Sequence, residues 1–237
     1  MAKRSTKETA HSRVAAALRD ALMNGDLQPG QRLVVRAIAE RFRTSPMPVR
    51  EALRQLASDG ALFDHPNRGV IVPEATLEVI SDVVRVRCTI EGAATEWAAS
   101  TISAEELQML ERLNAGMVAS TAGGEAADYL TLNREFHFTI YRAARSATLV
   151  PVIERLWLRA GPWLNIMRGE ATLGLGLDHH AEAVAALRAG NGAAARRAIV
   201  ADIADAGDIM LRAASSGQAR PAARRGAVPI EPAEQGS

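Results

Sequence analysis

The sequence predicts a mainly α protein, in which a short helical unit with a small β-hairpin precedes an all-α helical bundle. Ala and Leu dominate the apolar residues, and aromatic residues make up only 4% of the 237-residue chain. Ala and Leu favour helices, whereas aromatic and β-branched residues favour strands. Apolar residues recur at three- and four-residue spacing over most of the chain, which is the period of an amphipathic helix. Short strand-like runs occur only between residues 61 and 72.

The net charge of +1 hides an uneven distribution along the chain. Residues 1–75 carry 12 Lys and Arg against 8 Asp and Glu, while the rest carries 16 against 19. A basic front on an acidic body is typical of a polyanion-binding module joined to a second unit. The single cysteine, Cys88, excludes an internal disulfide. No apolar run reaches 18 residues and the N-terminus lacks an apolar signal core, so we expect a cytoplasmic protein without a membrane partner.

The first 75 residues predict three helices followed by a hairpin. Asn24-Gly25 ends the first helix and Gly60 the third, because glycine favours helix ends. Ser45 is expected to be the N-cap of the third helix, whose first turn tolerates proline. The predicted elements are helices around 14–22, 35–42 and 45–59, with strands at 61–63 and 70–72 about a turn at 67–69.

Residues from 77 onward show only helical patterns. The predicted helices span roughly 76–100, 103–121, 125–145, 148–169, 172–190 and 192–214. Ser103 and Glu106 have the spacing of a capping box, and Gly161-Pro162 is expected to kink or break a helix. The residues after 214 are rich in Ala, Pro, Gly and Arg without an apolar period. We therefore expect an N-terminal domain over 1–75, a helical domain over 76–214 and a disordered tail over 215–237.

Helix, helix, turn, helix and hairpin within about 60 residues is the order of a winged helix-turn-helix, which binds DNA. Arginine can fork to a guanine edge or hold a phosphate, and a helix N-terminus can take a phosphate. Taken singly, each arginine has the simpler interpretation of a solvated helix face. Together with the hairpin, the pattern favours double-stranded DNA as the partner. The expected contacts are Arg36, Ser45, Arg50, Arg54, Arg68 and Gly69.

Three segments of this unit carry a specific pattern. They are Gly25-Asp-Leu-Gln-Pro-Gly30, Ile38-Ala-Glu-Arg-Phe42 and Pro48-Val-Arg-Glu-Ala-Leu-Arg-Gln-Leu56. Together they resemble the GntR family of bacterial regulators. The resemblance implies a homodimer that binds a pseudo-palindromic operator, with Arg36 and Arg50 at positions that contact bases.

Two residues depart from that family pattern. Pro46 stands where the family often has the arginine that reads a guanine, and Arg43 stands where a turn glycine is usual. Loss of a bidentate base contact costs roughly 1–3 kcal/mol of discrimination, unless another side chain replaces it. Arg43 and Met47 are the candidates for that replacement, so they join the expected DNA contacts.

Polar residues of the helical domain suggest a metal site. Asn133 and His137 are four residues apart and share a helix face. Asp202 lies 22 residues after His180, at a height in the antiparallel last helix that can face it. Two imidazoles, a carboxylate and an amide oxygen suit a divalent metal between helices. The simpler interpretation is that the histidines have ordinary core partners or start a helix at His179-His180, and the residues alone leave both open.

The helical domain also resembles a known domain over about residues 77–214. The resemblance rests on Arg87-Cys-Thr-Ile-Glu91, Asn133-Arg-Glu-Phe-His137 and His180, which are similar to the FCD ligand-binding domain of the FadR-type subfamily. It implies that Asn133, His137, His180 and Asp202 bind a divalent metal, with zinc expected. The family commonly has Asp where this chain has Asn133 and His where it has Asp202, so one anionic ligand is kept. Asn is a weak ligand for a transition metal, and the alternative for Asn133 is a contact with the effector or a water.

A small carboxylic acid is the expected effector. The vacant positions of such a metal, with Arg87 beside it, would hold an organic acid. The alternative for Arg87 is an ion pair with Glu91, four residues on. Trp163, Asn165 and Arg168 are expected to line the same pocket, although tryptophan is more often a core residue.

The expected function is a ligand-responsive transcriptional repressor. A rival from another class is a metal-dependent hydrolase or lyase that uses His137, His180 and Asp202. No motif places a general base near that cluster, and neither a Ser-His-Asp set nor a Gly-rich phosphate loop is evident. A helical adaptor with neither metal nor ligand is the third alternative.

Overall fold

Three helices and a hairpin form the N-terminal unit, and this confirms the predicted fold class. The structure, a computed structural model, describes residues 9–123, 126–168, 174 and 176–216. The unit consists of α1 (Ala10–Met23), α2 (Val35–Arg41), α3 (Pro46–Ser58), β1 (Phe63–His65) and β2 (Gly69–Ile71). The apolar faces of α1 and α3 pack on each other, and burying one leucine side chain contributes about 1.5–3 kcal/mol. The buried residues of this contact include Val14, Leu18, Leu22, Val49, Leu53 and Leu56.

The hairpin begins later than the sequence predicts. β1 and β2 pair antiparallel, with Phe63 opposite Ile71 and His65 opposite Gly69. The prediction of a strand over 61–63 is wrong in its bounds, because the amides of Ala61 and Leu62 donate to the Leu56 carbonyl and close α3. The turn accordingly lies at 66–68, one residue earlier than predicted.

The helical body follows the predicted order of helices. It comprises α4 (Leu77–Ala98), α5 (Ala104–Gly123), α6 (Ala126–Ala143), α7 (Leu149–Ala160), α8 (Leu177–Arg188) and α9 (Gly192–Ser215), with a 3₁₀ segment (Gly161–Arg168) after α7. α4 packs on α9, α5 on α6, and α8 on α9. Ser103 and Glu106 form the predicted capping box through reciprocal bonds of 3.2 and 2.9 Å. None of the described helices combines the length and the apolarity that a bilayer crossing requires.

Two predicted bounds change in this body. The fourth predicted helix stops at Ala160, and Gly161-Pro162 begins the 3₁₀ segment, so the expected break is present. The helix predicted from 172 begins at Leu177, because residues 174 and 176 lie in turns. The predicted tail over 215–237 falls, after Ser216, outside the described residues.

The 3₁₀ segment rests directly against the end of α1. A Cβ on Gly161 would lie 2.2 Å from the Leu22 carbonyl oxygen and 2.7 Å from the Met23 Cα, so only glycine fits. Asn165 Nδ2 donates to the Gly25 carbonyl oxygen at 2.8 Å. This segment therefore joins the helical body to the N-terminal unit.

Replacing Gly161 by alanine is expected to lower the free energy of unfolding by about 1–3 kcal/mol, the usual cost of overpacking. The added methyl meets backbone atoms of α1, which can give way only if the N-terminal unit shifts. Urea titration followed by circular dichroism measures the loss.

The matched control is Gly116→Ala, also within a helix. Its Cβ would meet only a side-chain end, Leu132 Cδ1 at 3.1 Å, so we expect little change or a small gain. Equal stabilities for the two variants would show that Gly161 does not pack tightly against the end of α1.

Candidate DNA-binding surface and candidate metal centre

The residues predicted to contact DNA are all on the protein surface. α3 buries Val49 and Leu53 against the core and presents Arg50 and Arg54, one turn apart, to solvent. Met47, at the start of α3, is 60% exposed despite its apolar side chain. The exposed set comprises Arg36, Arg43, Ser45, Met47, Arg50, Arg54, Arg68 and Gly69.

Arg43 occupies the turn between α2 and α3 in a left-handed conformation, with φ of +48°. This conformation costs an L-residue roughly 1–2 kcal/mol relative to the right-handed one, which explains why glycine suits the position. The side chain of Arg43 is exposed two residues before the N-cap of α3.

Ser45 is the N-cap of α3, with extended backbone angles, and its hydroxyl makes no capping bond. Pro46 and Pro48 carry no N–H, so the hydroxyl of Ser45 and the Met47 amide are the groups that this helix start offers to an outside acceptor. A phosphate oxygen suits this place, because the partial positive charge of a helix N-terminus favours anions.

Three helices bring His137, His180 and Asp202 together in the helical body. His137 Nε2 lies 3.2 Å from Asp202 Oδ2, and His180 Nε2 lies 3.4 Å from Asp202 Oδ1. One ligand atom from each residue lies within 4.8 Å of the others. Both histidines are fully buried, on α6 and α8, and the Asp202 side chain on α9 is 12% exposed.

Two further observations fit a divalent metal among these residues. Among the residues that the structure describes, neither ring nitrogen of the buried His180 has a hydrogen-bond partner, and a buried polar atom left unpaired costs about 1–3 kcal/mol. A Cβ on Gly176 would lie 2.2 Å from Asp202 Oδ1, so the glycine leaves the room that the carboxylate occupies. Two imidazoles and one carboxylate are a common donor set for zinc with an open fourth position.

The protonation states also suit a metal. Burial lowers the pKa of His137, although Asp202 opposes the shift. Burial acts to raise the pKa of Asp202, but His180 and His137 outweigh it and hold that pKa well below its usual range. A neutral imidazole and an ionised carboxylate are the forms that bind a metal.

Arg87 forms the ion pair with Glu91 that the sequence left open as an alternative. Its Nε donates to Glu91 Oε1 at 2.6 Å and its Nη2 to Glu91 Oε2 at 3.2 Å. The guanidinium carbon lies 4.8 Å from the centre of a Trp157 ring. Arg87 nevertheless reaches the wall of the cavity beside the His-His-Asp cluster.

That cavity has a volume of about 40 Å³. It is lined in part by Arg87, Asn133, His137, Leu164 and Asp202. Drug-sized ligands occupy about 300–1,000 Å³, so this space suits an ion with a water or a very small ligand. Asn133 thus lies where the sequence expected it, one turn before His137.

The structure corrects the expected lining by the 3₁₀ segment. Trp163 is 2% exposed within the hydrophobic core, and the Asn165 amide bonds to Gly25. Neither is among the described residues that line the cavity. The side chain of Arg168 lies outside the described part of the chain. Leu164, which the sequence reasoning missed, is the member of this segment that lines the cavity.

The sequence reasoning also missed Tyr141 and Glu91 as neighbours of the His-His-Asp cluster. Tyr141 follows His137 by four residues, so the shared helix face was a signal that the sequence offered. Glu91 was noted only as a partner for Arg87, although it also accepts a bond from Tyr141.

Comparisons with known proteins match a protein family to each of the two parts of the chain. The FCD domain family matches residues 82–205, and the family described as bacterial regulatory proteins, gntR family, matches residues 10–72. The HTH-type transcriptional regulator McbR of Escherichia coli is 32% identical over 150 residues, which cover 63% of this chain and 68% of McbR.

Two further comparisons, one with another relative and one with the solved structure of McbR, cover more of the chain. The "Probable D-xylose utilization operon transcriptional repressor" of Paenarthrobacter nicotinovorans is 27% identical over 202 residues, 85% of this chain and 89% of that protein. The solved structure of E. coli McbR/YncC superposes with a TM-score of 0.81 at 28% identity, and covers 86% of this chain and 98% of that one.

Proposed function

Because the chain belongs to the GntR family of bacterial regulatory proteins and carries an FCD domain, we propose that it is a repressor that senses a small carboxylic acid. The family makes the chain a DNA-binding transcriptional regulator rather than an enzyme. The observation that carries the proposal is the convergence of His137, His180 and Asp202 beside a small cavity. The repressor role draws support from the printed name of the Paenarthrobacter relative.

The DNA-binding unit in this proposal spans residues 1–75, and the effector domain spans 76–214. The dimer presents two winged units to a pseudo-palindromic operator, as GntR regulators usually do. Arg36 and Arg50 contact bases, while Ser45 and Arg54 hold phosphates and the wing tip at Arg68-Gly69 reaches a minor groove. Arg43 and Met47 give this DNA-contacting surface its own preference for operator sequence, since a methionine can contact a thymine methyl. A regulator of this kind works in the cytoplasm, where the operator is.

His137, His180 and Asp202 would hold the metal, for which zinc is the proposed identity, and Asn133 adds an amide oxygen or orients a water. When bound, the metal supplies open positions that accept a carboxylate. Arg87 gives two of its five N–H groups to Glu91 and also lines the cavity, so its other N–H groups are the proposed donors to an acid. The acid is therefore small and anionic.

Coupling to DNA runs through the 3₁₀ segment. Leu164 lines the cavity, while Gly161 and Asn165 of the same segment contact the end of α1. A ligand that moves Leu164 thus changes how the DNA-binding unit is seated. Such coupling is typically worth about 1–3 kcal/mol, or roughly 5- to 150-fold in DNA affinity.

Gly176→Ala tests the metal site without changing a ligand. The new methyl would lie 2.2 Å from Asp202 Oδ1 and drive the carboxylate away from the histidines. Gly176 has φ of −87°, which alanine also adopts, so the fold is retained. We expect zinc affinity, measured by competition with a chromophoric chelator, to fall about 10- to 100-fold, as for loss of a group that orients a ligand.

A substitution at the other cap of α8 serves as the control. Ala189→Ser, at the C-cap of α8 and exposed, alters the opposite end of the helix and should leave zinc affinity unchanged. Wild-type zinc affinity in the Gly176→Ala variant, or no zinc bound by the wild type, would count against the proposed site.

A further inference from the structure

We propose that Glu91 and Tyr141 form a relay that positions His137 and fixes its ring in the form that binds a metal through Nε2. The inference rests on the proposed metal site and deepens it. Glu91 and Tyr141 touch no metal in this assignment, so they are positioning residues. The relay connects Glu91 on α4, the first helix of the helical body, to His137 on α6.

Two short contacts make up the relay, and a third joins His137 to Asp202. The Tyr141 hydroxyl donates to Glu91 Oε2 at 2.5 Å. His137 Nδ1 lies 3.0 Å from the same hydroxyl oxygen. The other ring nitrogen, Nε2, lies 3.2 Å from Asp202. All three residues of the relay are buried.

Proton counting decides the direction of each bond. Glu91 is fully buried and is surrounded by donors: Arg87 through two nitrogens, the Trp157 indole Nε1 at 3.0 Å, and Tyr141. Guanidinium and indole nitrogens only donate, so the Glu91 oxygens accept from Arg87 and Trp157. The Tyr141 hydroxyl, 2.5 Å from Glu91 Oε2, gives its single proton to the same carboxylate.

The tautomer of His137 follows from this count. With its proton committed to Glu91, the Tyr141 oxygen can only accept from His137. Nδ1 must then carry a hydrogen, and the lone pair of a neutral ring is left on Nε2. That lone pair points at Asp202 and the centre of the cluster. Partners of this kind, which orient a ligand and raise its basicity, are a general feature of metal-binding histidines.

Tyr141→Phe is the cleanest test, since it removes one oxygen and keeps the volume. Removing Arg87 would instead leave a buried carboxylate without its counter-charge, which is strongly destabilising. We expect zinc affinity, measured by chelator competition, to fall about 10- to 100-fold in Tyr141→Phe. The matched control is Thr131→Val, which also removes one hydroxyl from α6; that hydroxyl is exposed and donates to the Ala127 carbonyl oxygen at 3.1 Å, so the affinity should change less than about twofold.

A second readout separates positioning from a loss of packing. Long-range ¹H–¹⁵N spectra of the metal-free protein report which nitrogen of His137 carries hydrogen, with its signals identified by their absence in His137→Gln. The wild type should show hydrogen on Nδ1, and Tyr141→Phe should lose that preference. If Tyr141→Phe folds poorly, the wild-type spectrum decides alone, because hydrogen on Nε2 with none on Nδ1 would contradict the relay.

The outcomes distinguish the relay from the metal site. If the wild type binds zinc and Tyr141→Phe binds it equally well, the relay is wrong while the metal site stands. An unchanged tautomer in Tyr141→Phe, or an equal loss of affinity in Thr131→Val, also overturns it. If the wild type binds no zinc, the metal site fails, and the metal-free spectra still decide whether the relay sets the tautomer.

Discussion

Replacing Arg50 by alanine is expected to weaken specific operator binding by this regulator strongly. Arg50 projects from the exposed side of α3, whose other side is packed into the core through Val49 and Leu53. One bidentate arginine contact to a base is worth about 1–3 kcal/mol. A dimer loses two such contacts, so the affinity should fall roughly 30-fold to 10⁴-fold. Fluorescence anisotropy with labelled duplex from the region upstream of the gene, at fixed salt, measures the change.

Arg85→Ala is the matched control for this loss. Arg85 is also an exposed arginine near the middle of a helix, but it lies on α4 and pairs with Asp82 at 2.6 Å. Removing it takes away the same charge outside the DNA-binding unit, so the affinity should stay within about twofold, as expected for a surface pair. Equal losses in the two variants would show that net charge, not a base contact, explains the effect. An unchanged affinity in Arg50→Ala would show that α3 does not contact the operator bases through Arg50.

Asp202→Asn is expected to abolish binding of the proposed metal to the helical domain. Asp202 is the anionic member of the cluster, and its two oxygens face His137 and His180 at 3.2 and 3.4 Å. An amide of the same shape is a poor ligand, so the loss should exceed the roughly 10- to 100-fold that removal of an orienting partner causes. The measurement is the metal-to-protein ratio after dialysis, together with the zinc affinity from chelator competition.

Asp208→Asn provides the comparison on the same helix. Asp208 is exposed on α9, nearly two turns after Asp202, and should keep the wild-type ratio. A full equivalent of metal in Asp202→Asn would place the ion elsewhere. Because Asn preserves the side-chain volume, we expect both variants to fold.

Local sequence patterns predicted most of the fold and the core of the candidate site. The 3.6-residue period found the helices, and the helical rise placed His180 and Asp202 at matching heights on antiparallel helices, where the structure brings them together. These features depend on neighbours in sequence or on one simple packing rule. The period could not distinguish an α-helix from the 3₁₀ segment after Gly161, so Trp163 and Asn165 were expected on the wrong face.

Long-range packing accounts for what the sequence did not predict. Ala61 and Leu62 look like a strand, but their amides close α3, which only the placement of Leu56 reveals. Glu91 reaches Tyr141 because α4 and α6 are neighbours in space, and no spacing along the chain states that. The positive φ of Arg43 was detectable only as a residue standing where glycine is usual.

Operator affinity as a function of acid concentration tests the central claim most directly. The zinc-loaded wild type and Asp202→Asn are titrated in parallel, by anisotropy on upstream DNA, with a panel of two- to six-carbon mono- and dicarboxylic acids. We predict that at least one acid shifts the wild-type affinity roughly 5- to 150-fold and leaves Asp202→Asn unmoved. Absence of DNA binding at low salt, or a shift of equal size in both proteins, would contradict the account.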